Sequence, residues 1–381
     1  MRIAFFTDTY LPTIDGVVRS ILTTRKQLEA DGHEVVIFAP EDPRRRARHE
    51  TGTFYVRARE YRAYPGYRIG MFPDRELDLV QKLGIDIIHS HGVAALGVKG
   101  LWSSRKARIP FVQTFHTMLQ DALPFYSPRG VNLQVLERVL RLYLRFFLRR
   151  CRGIIVPSRA ILGEIAALSP EATITDIIPT GVDPELFHPR VDGSAVRDRW
   201  GLDDSDVILH VGRVSPEKNL GTLIRAFEHV QDANPNAKLL IVGRGPYLDR
   251  YYDLVRHRGL AGDVIFTGFV PETELPEYYA AADIFATASR FETQGLTVLE
   301  ALASGTPVAG ANYRAIPEFV QDGRNGVLFD PGDARDCAIG ILRCLEARDE
   351  MHDASRRSAL PFSVGRCTRR LEDMYARILA A

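Results

Sequence analysis

The chain has 381 residues, 45% hydrophobic and 25% charged, with 49 Lys and Arg against 48 Asp and Glu, enough to bury two cores and unlike a disordered chain. The near-zero balance hides an asymmetry, since residues 1–185 carry 26 basic against 20 acidic side chains and residues 186–381 carry 23 against 28. Cys151, Cys337, Cys344 and Cys367 show neither disulfide nor zinc-site spacing, the N-terminal apolar run is broken by Asp8, and no stretch approaches the about 20 apolar residues that span a bilayer, so reduced thiols in a cytoplasmic, at most membrane-peripheral protein are expected.

Arg2 to Thr7 (RIAFFT) reads as a first strand, and Val17 to Ala30, with Val18, Ile21, Leu22 and Leu28 at helical spacing, as a first helix. The loop between them holds Gly16, so the segment makes the first βα unit of a Rossmann-like domain. The fingerprint GxGxxG is absent, and no dinucleotide cofactor is expected. Glu34 to Ala39 is a second strand, and Glu41 to Glu50, with Arg44, Arg45, Arg46 and Arg48, is either a solvated loop or a basic patch. Ile85 to Ser90 and Pro110 to Thr114 are further buried strands, ending in His89, His91 and His116. His89 and His91 alternate onto one face, but no third ligand has metal-site spacing, and polar site groups normally collect at the ends of parallel strands. No metal is expected.

Asn132 to Arg152 reads as one long helix. Arg138, Arg141, Arg145, Arg149 and Arg152 recur in steps of three and four, which puts all five on one face, with Leu140, Leu144, Phe147, Leu148 and Cys151 toward the other. The arginine face is either the solvated outside of a packed helix or a docking face for anionic lipid head groups. Gly153 to Ser158 and Thr173 to Pro179 are two more strands. Pro184, Pro189 and Gly193 then mark a linker.

Val207 to Gly212 (VILHVG) opens a second domain, followed by Arg213, Lys218 and a helix from about Leu220 to Val230. Two cations placed there can reach a diphosphate and do what a bound Mg²⁺ does elsewhere. Lys238 to Gly245 and Asp263 to Phe269 supply strands, as does Ala281 to Ala288, and Leu296 to Ala303 is a helix that starts after Gly295. The turn before that helix presents free backbone N–H groups and the positive end of a dipole, an anion seat. Glu292 in the turn and Glu300 on the exposed side of the helix, with seven residues between them, can each accept from hydroxyls. A ligand with a central phosphate and a polyol at either end, such as a nucleotide-diphosphate sugar, suits the arrangement.

Glu292, seven residues and Glu300 inside Gly295-Leu-Thr-Val-Leu-Glu-Ala, followed by Ala303-Ser-Gly-Thr-Pro-Val, resembles the donor-site signature of the retaining glycosyltransferases of family four. The likeness runs from Arg2 to the last helix. It implies an α/β protein of GT-B architecture, two Rossmann-like parallel-sheet domains facing a central cleft. The acceptor domain is then 1–185, the donor domain 186–361, and the helix at 362–381 crosses back to the first. It implies that Arg213 and Lys218 hold the phosphates and that backbone from Gly268 to Val270 meets the base. Gly16 would face the donor phosphate, and Asp15 stands where the family often has a glycine. Gly295, Leu296 and Thr297 complete the donor set, with Glu300 assigned to the ribose and Glu292 to the sugar.

His116-Thr-Met together with Glu292-Thr-Gln-Gly-Leu-Thr is similar to the diacylglycerol glucosyltransferase group, in which the histidine lies beside the transferred sugar. Leu119, Gln120 and Thr180 depart from the usual pattern. Tyr10, Asp15, Thr117 and Tyr126 are the acceptor-side candidates. No nucleophile stands beside a base, so catalysis is expected to rest on positioning, with His116 and Glu292 at the sugar, and on stabilising the departing diphosphate by Arg213, Lys218 and the amides near Leu296 and Thr297. Three functions remain open: transfer of a hexose, UDP-glucose being the model donor, to a membrane lipid such as diacylglycerol; the same chemistry on a soluble sugar, sugar phosphate or glycan; or an epimerase or binding module of the same fold. An anionic membrane surface is a candidate partner and nucleic acid is not.

Overall fold

The computed structural model describes residues 1–44, 51–61, 68–71, 77–116, 132–168 and 173–381. It divides into two compact units, Met1–Gly181 with Val364–Ala381, and Val182–Ser363.

In the first unit, β1 (Arg2–Phe6), α1 (Gly16–Ala30), β2 (Glu34–Pro40) and β3 (Thr53–Val56) precede a small antiparallel pair, β4 (Ala58–Glu60) and β5 (Arg68–Gly70). Then follow α2 (Leu77–Lys82), β6 (Ile87–Ser90), α3 (Ala95–Ala107), β7 (Phe111–Thr114), α4 (Leu133–Leu148), β8 (Gly153–Val156), α5 (Arg159–Ala166) and β9 (Ile174–Ile177). Among the described residues the main sheet has the order β3-β2-β1-β6-β7-β8-β9, its pairs parallel. Buried on both faces, the inner strands β1, β2 and β8 read as apolar runs rather than alternating ones. On one face Phe6, Phe38 and Phe111 pack with Leu144 and Phe147 of α4. On the other, Phe5 and Val112 meet Leu371, Met374 and Tyr375, each such side chain contributing roughly 1.5–3 kcal/mol when fully buried.

Helix α4 departs from the sequence reading in two ways. It ends at Leu148, not Arg152, because the Arg152 amide donates to the Phe111 carbonyl at 2.8 Å and enters the sheet. Arg138, Arg141 and Arg145 therefore lie on the helix, Arg149 at its cap, and Arg152 off it. Its outward surface is also not purely cationic: Val135, Val139, Leu142 and Phe146, spaced four, three and four, are 60%, 56%, 62% and 55% exposed. An apolar ridge thus runs beside the arginines. Of the basic cluster near residue 44, Arg44 pairs with Asp42 at 2.6 Å, and Arg45, Arg46 and Arg48 lie outside the described residues.

The second unit runs α6 (Ser194–Trp200), β10 (Asp206–Val211), a 3₁₀ turn (Pro216–Lys218), α7 (Leu220–Ala233), β11 (Ala237–Val242), α8 (Leu248–His257), β12 (Val264–Gly268), α9 (Leu275–Ala281), β13 (Ile284–Thr287), α10 (Leu296–Ala303), β14 (Val308–Ala311), α11 (Ile316–Phe319), β15 (Gly326–Phe329), α12 (Ala334–Glu346) and α13 (Arg348–Ala359). Its parallel sheet has the order β12-β11-β10-β13-β14-β15. The last helix, α14 (Val364–Ala380), belongs to the first unit, where His33 contacts Glu372 at 2.8 Å.

Each sheet has a switch point, β1/β6 in the first and β10/β13 in the second, from which the strand order runs outward in both directions. Ligands of open parallel sheets bind beyond the carboxyl ends of strands at such points. At the second, backbone approaches backbone: a Cβ on Gly243, whose φ is +138°, would lie 1.8 Å from the Gly212 carbonyl oxygen. Only glycine fits there.

Candidate functional site

Beyond β10 and β13 the second unit gathers most of the anticipated donor residues. Arg213 is exposed at the end of β10, and Lys218 closes the 3₁₀ turn. The Lys218 ammonium donates to Glu292 Oε1 at 2.6 Å, with the two side chains 22% and 13% exposed. The loop that carries Glu292 is pinned to this turn. Asn219, at φ +54°, donates from Nδ2 to the carbonyls of Ala288 and Pro331 at 3.0 and 2.9 Å, and the Arg290 amide donates to Glu217 O at 3.2 Å. Helix α10 then begins at Gly295, with φ +87° and no side-chain cap. The amides of Leu296 and Thr297 stand in its first turn, where the dipole and N–H groups favour an anion.

Glu300 sits differently from the sequence reading. It is 1% exposed rather than on an outer face, because Val298 to Ala303 are buried all round, and Tyr279 donates its hydroxyl to Glu300 Oε2 at 2.7 Å. Gly268, at φ +76°, ends β12 with its carbonyl accepting from the Gly243 amide at 2.8 Å, and Val270 beyond it is 8% exposed. A cavity of about 500 Å³, lined by Arg290, Tyr313 and Asp330 among others, shares none of the anticipated donor residues. The chemistry of the Lys218 and Glu292 seat, rather than cavity size, marks the site.

His210 was read only as part of an apolar strand. It is 1% exposed, and its Nδ1 lies 2.9 Å from the Ala286 carbonyl, which fixes the proton on Nδ1. Burial first, opposed by that bond and helped by the Lys218 charge, lowers its pKa to about 4. Among the described residues its Nε2 has no hydrogen-bond partner.

In the first unit Asp15 caps α1, its Oδ1 accepting from the amides of Val17 and Val18 at 3.0 and 2.9 Å. Gly16 follows in open space. Tyr10 is 4% exposed and packs in the core near Arg25. Thr117 and Tyr126 lie outside the described residues. A buried carboxylate, Asp8, accepts from the amides of Ala94 and Leu96 at 2.9 and 2.8 Å and so caps α3, which has no side-chain cap of its own. Burial raises its pKa against the pull of those bonds.

His89, His91 and His116 do come together. His91 Nδ1 lies 2.9 Å from His116 Nε2. His89 bridges Tyr375 Oη at 2.5 Å and Thr114 Oγ1 at 2.6 Å. Burial holds all three neutral: the pKa of His89 falls to about 3, that of His116 to about 4, and that of His91 well below its usual range. Among the described residues no group of three or more His, Cys, Asp or Glu is placed to hold a metal ion.

The family profile described as Glycosyl transferases group 1 matches residues 194–359, and the Glycosyltransferase Family 4 profile matches residues 14–186. An alpha-monoglucosyldiacylglycerol synthase of Streptococcus pneumoniae is 31% identical over 93% of this chain and 80% of its own length. One of Acholeplasma laidlawii is also 31% identical, over 87% of this chain and 86% of its own. An Anabaena HepE structure in complex with UDP superposes with a TM-score of 0.79 at 21% identity, covering 99% of this chain and 100% of that one. The fold is thus that of the GT-B glycosyltransferases, and the chain, an enzyme of this class, belongs to glycosyltransferase family 4.

Proposed function

We infer that the enzyme moves a hexose, with retention, from a UDP-hexose type donor to a hydroxyl group of a membrane lipid such as diacylglycerol. On the donor side, Arg213, Lys218 and the first-turn amides of α10 receive the diphosphate, Glu292 takes the sugar and Glu300 the ribose. These fixed positive groups act where charge develops on the leaving diphosphate, so the step needs no metal. Gly268 to Val270 carry the base by backbone contact, and His116 meets the transferred sugar.

The observation that carries the lipid acceptor is helix α4. Val135, Val139, Leu142 and Phe146 stand outward beside Arg138, Arg141, Arg145 and Arg149. An apolar ridge edged by arginine is the pattern of a helix that lies in a bilayer surface, and each basic residue there contributes about 1 kcal/mol on an anionic membrane. Both relatives cited above carry names that place their own products among diacylglycerol glycolipids. Among the described residues no helix is long and apolar enough to cross a membrane, and the proposed seat of the enzyme is the inner face of the cell membrane, held peripherally.

The test is a donor panel, UDP-glucose, UDP-galactose and GDP-mannose, with extracted membrane lipids, read by mass analysis of products. A hexosyl-lipid that forms only with lipid present supports the reading, whereas a product formed on soluble sugars alone overturns the acceptor. The GDP-mannose arm is included because a GDP-mannose-dependent alpha-mannosyltransferase of Mycolicibacterium smegmatis is 28% identical over 94% of this chain. In parallel, anionic vesicles should sediment the protein less as salt rises, and less when Leu142 and Phe146 become Ser.

A further inference from the structure

We propose that His91 is a positioning residue that fixes His116 as the Nδ1–H tautomer, so that His116 serves as a hydrogen-bond donor and not as a base. The two imidazoles meet through His91 Nδ1 and His116 Nε2 at 2.9 Å. Only one proton can lie between them when both rings are neutral, as burial makes them. If His116 gave that proton, His91 would carry its own on Nε2, which is buried and has no hydrogen-bond partner among the described residues. A buried orphan N–H is rarer and costlier than a bare acceptor. The arrangement with fewer penalties puts the proton on His91 Nδ1, donated to His116 Nε2, and leaves the His116 proton on Nδ1.

The surroundings hold His91 in this pose. Phe5 sets its ring against His91 with centroids 4.6 Å apart and against His89 at 5.3 Å, and the rings of His89 and His91 lie 4.3 Å apart. His89 cannot turn freely, because Tyr375 Oη and Thr114 Oγ1 occupy its two nitrogens. A Tyr375 hydroxyl that donates to Nδ1 leaves Nε2–H for Thr114. The chain of positions therefore runs from the last helix, through His89 and His91, to His116.

The role given to His116 rests on the transferase reading above, whereas its tautomer does not. The experiment labels the histidines of the whole protein with ¹⁵N and assigns His116 by comparison with His116→Gln. Protonated Nδ1 and bare Nε2 are expected, and the reverse pattern overturns the proposal. His91→Asn, whose amide can donate from near the Nδ1 position, and His91→Phe, which cannot, are then compared in transfer. Loss of one neutral hydrogen bond predicts a kcat about tenfold lower in His91→Phe with donor KM unchanged, and largely restored in His91→Asn. Equal kcat in wild type and both variants overturns the positioning role. If His91→Phe does not fold, the wild-type spectrum still decides the tautomer. A wild type that transfers nothing to any acceptor refutes the transferase reading without touching that assignment.

Discussion

At the carboxyl edge of the first sheet the leading amides of α1 are already satisfied by Asp15, whereas at the same edge of the second sheet α10 starts at Gly295, which has no side chain to offer. The first unit fills its strand ends with neutral histidines, and the second places an ammonium and a carboxylate there. Two sheets of the same class thus end in different chemistry: carboxylate-capped helix starts and neutral imidazoles in one, an uncapped helix start beside an ion pair in the other. A shared fold leaves the site to be argued from its own groups.

Acidification separates the units most strongly. Histidines of an unfolded chain take up protons near pH 6.5, but folded His89 does so near 3 and His210 near 4, with His91 also far below its usual value. Below pH 6.5 the unfolded state therefore binds more protons, and stability falls as pH falls. Each fully buried histidine removes about 2 kcal/mol between pH 7 and 5. The first unit holds two such groups and the partly exposed His116, the second His210, so the first should lose about two to three times as much. Asp8, its pKa raised by burial, works the other way only in the carboxylate range. Hydrogen exchange in β1 and β6 against β10 and β13, corrected for intrinsic rates, reads the difference, and equal losses would refute it.

Next in size is Lys218→Ala. Removing one fixed positive group from a developing anion lowers kcat by about 10²–10³, while circular dichroism and thermal midpoint of the second unit stay near wild type. Wild-type turnover would place the phosphates elsewhere. Gly295→Asp asks whether the difference in capping is the cause: a carboxylate at the head of α10 should compete with the diphosphate and weaken UDP binding by about tenfold in calorimetry. Unchanged affinity would show that the seat does not hold phosphate. The smallest effect is on the opposite side. Asp15→Ala removes a cap and should cost about 1 kcal/mol in denaturant unfolding, and no change would mean that the α1 amides find other partners.

The loop before α10 is legible because three signals agree within about 20 residues: a buried strand, Gly295 before a helical run, and two carboxylates at fixed spacing. Helix α10 has the bounds read from sequence, Leu296 to Ala303. Glu300 was assigned outward because a helix on a sheet normally has one wet face, and α10, buried from Val298 onward, has none in its second half. Periodicity also fails at the end of α4, where Arg149 to Arg152 continue the arginine spacing but the chain must turn into β8. The apolar ridge on α4 was missed for a related reason. Four outward apolar side chains are costly in water, and a helix divided into an arginine face and a core face leaves no place for the third face they form. His210 lies in an apolar run, and nothing in VILHVG separates a site histidine from a core one.

The last helix gives the chain an order of assembly. Residues 182–363 form the second unit without interruption, but the core of the first is completed by Met374, Tyr375 and Ile378. Those three side chains leave the ribosome after every residue of the second unit has been made. Although units generally fold from the N-terminus onward during synthesis, here the second can finish while the first still exposes the apolar face that α14 will cover, and Tyr375 reaches His89 only then. The histidine pocket is thus set after the second unit, and a nascent chain stalled before residue 364 holds the second unit complete and the first unclosed.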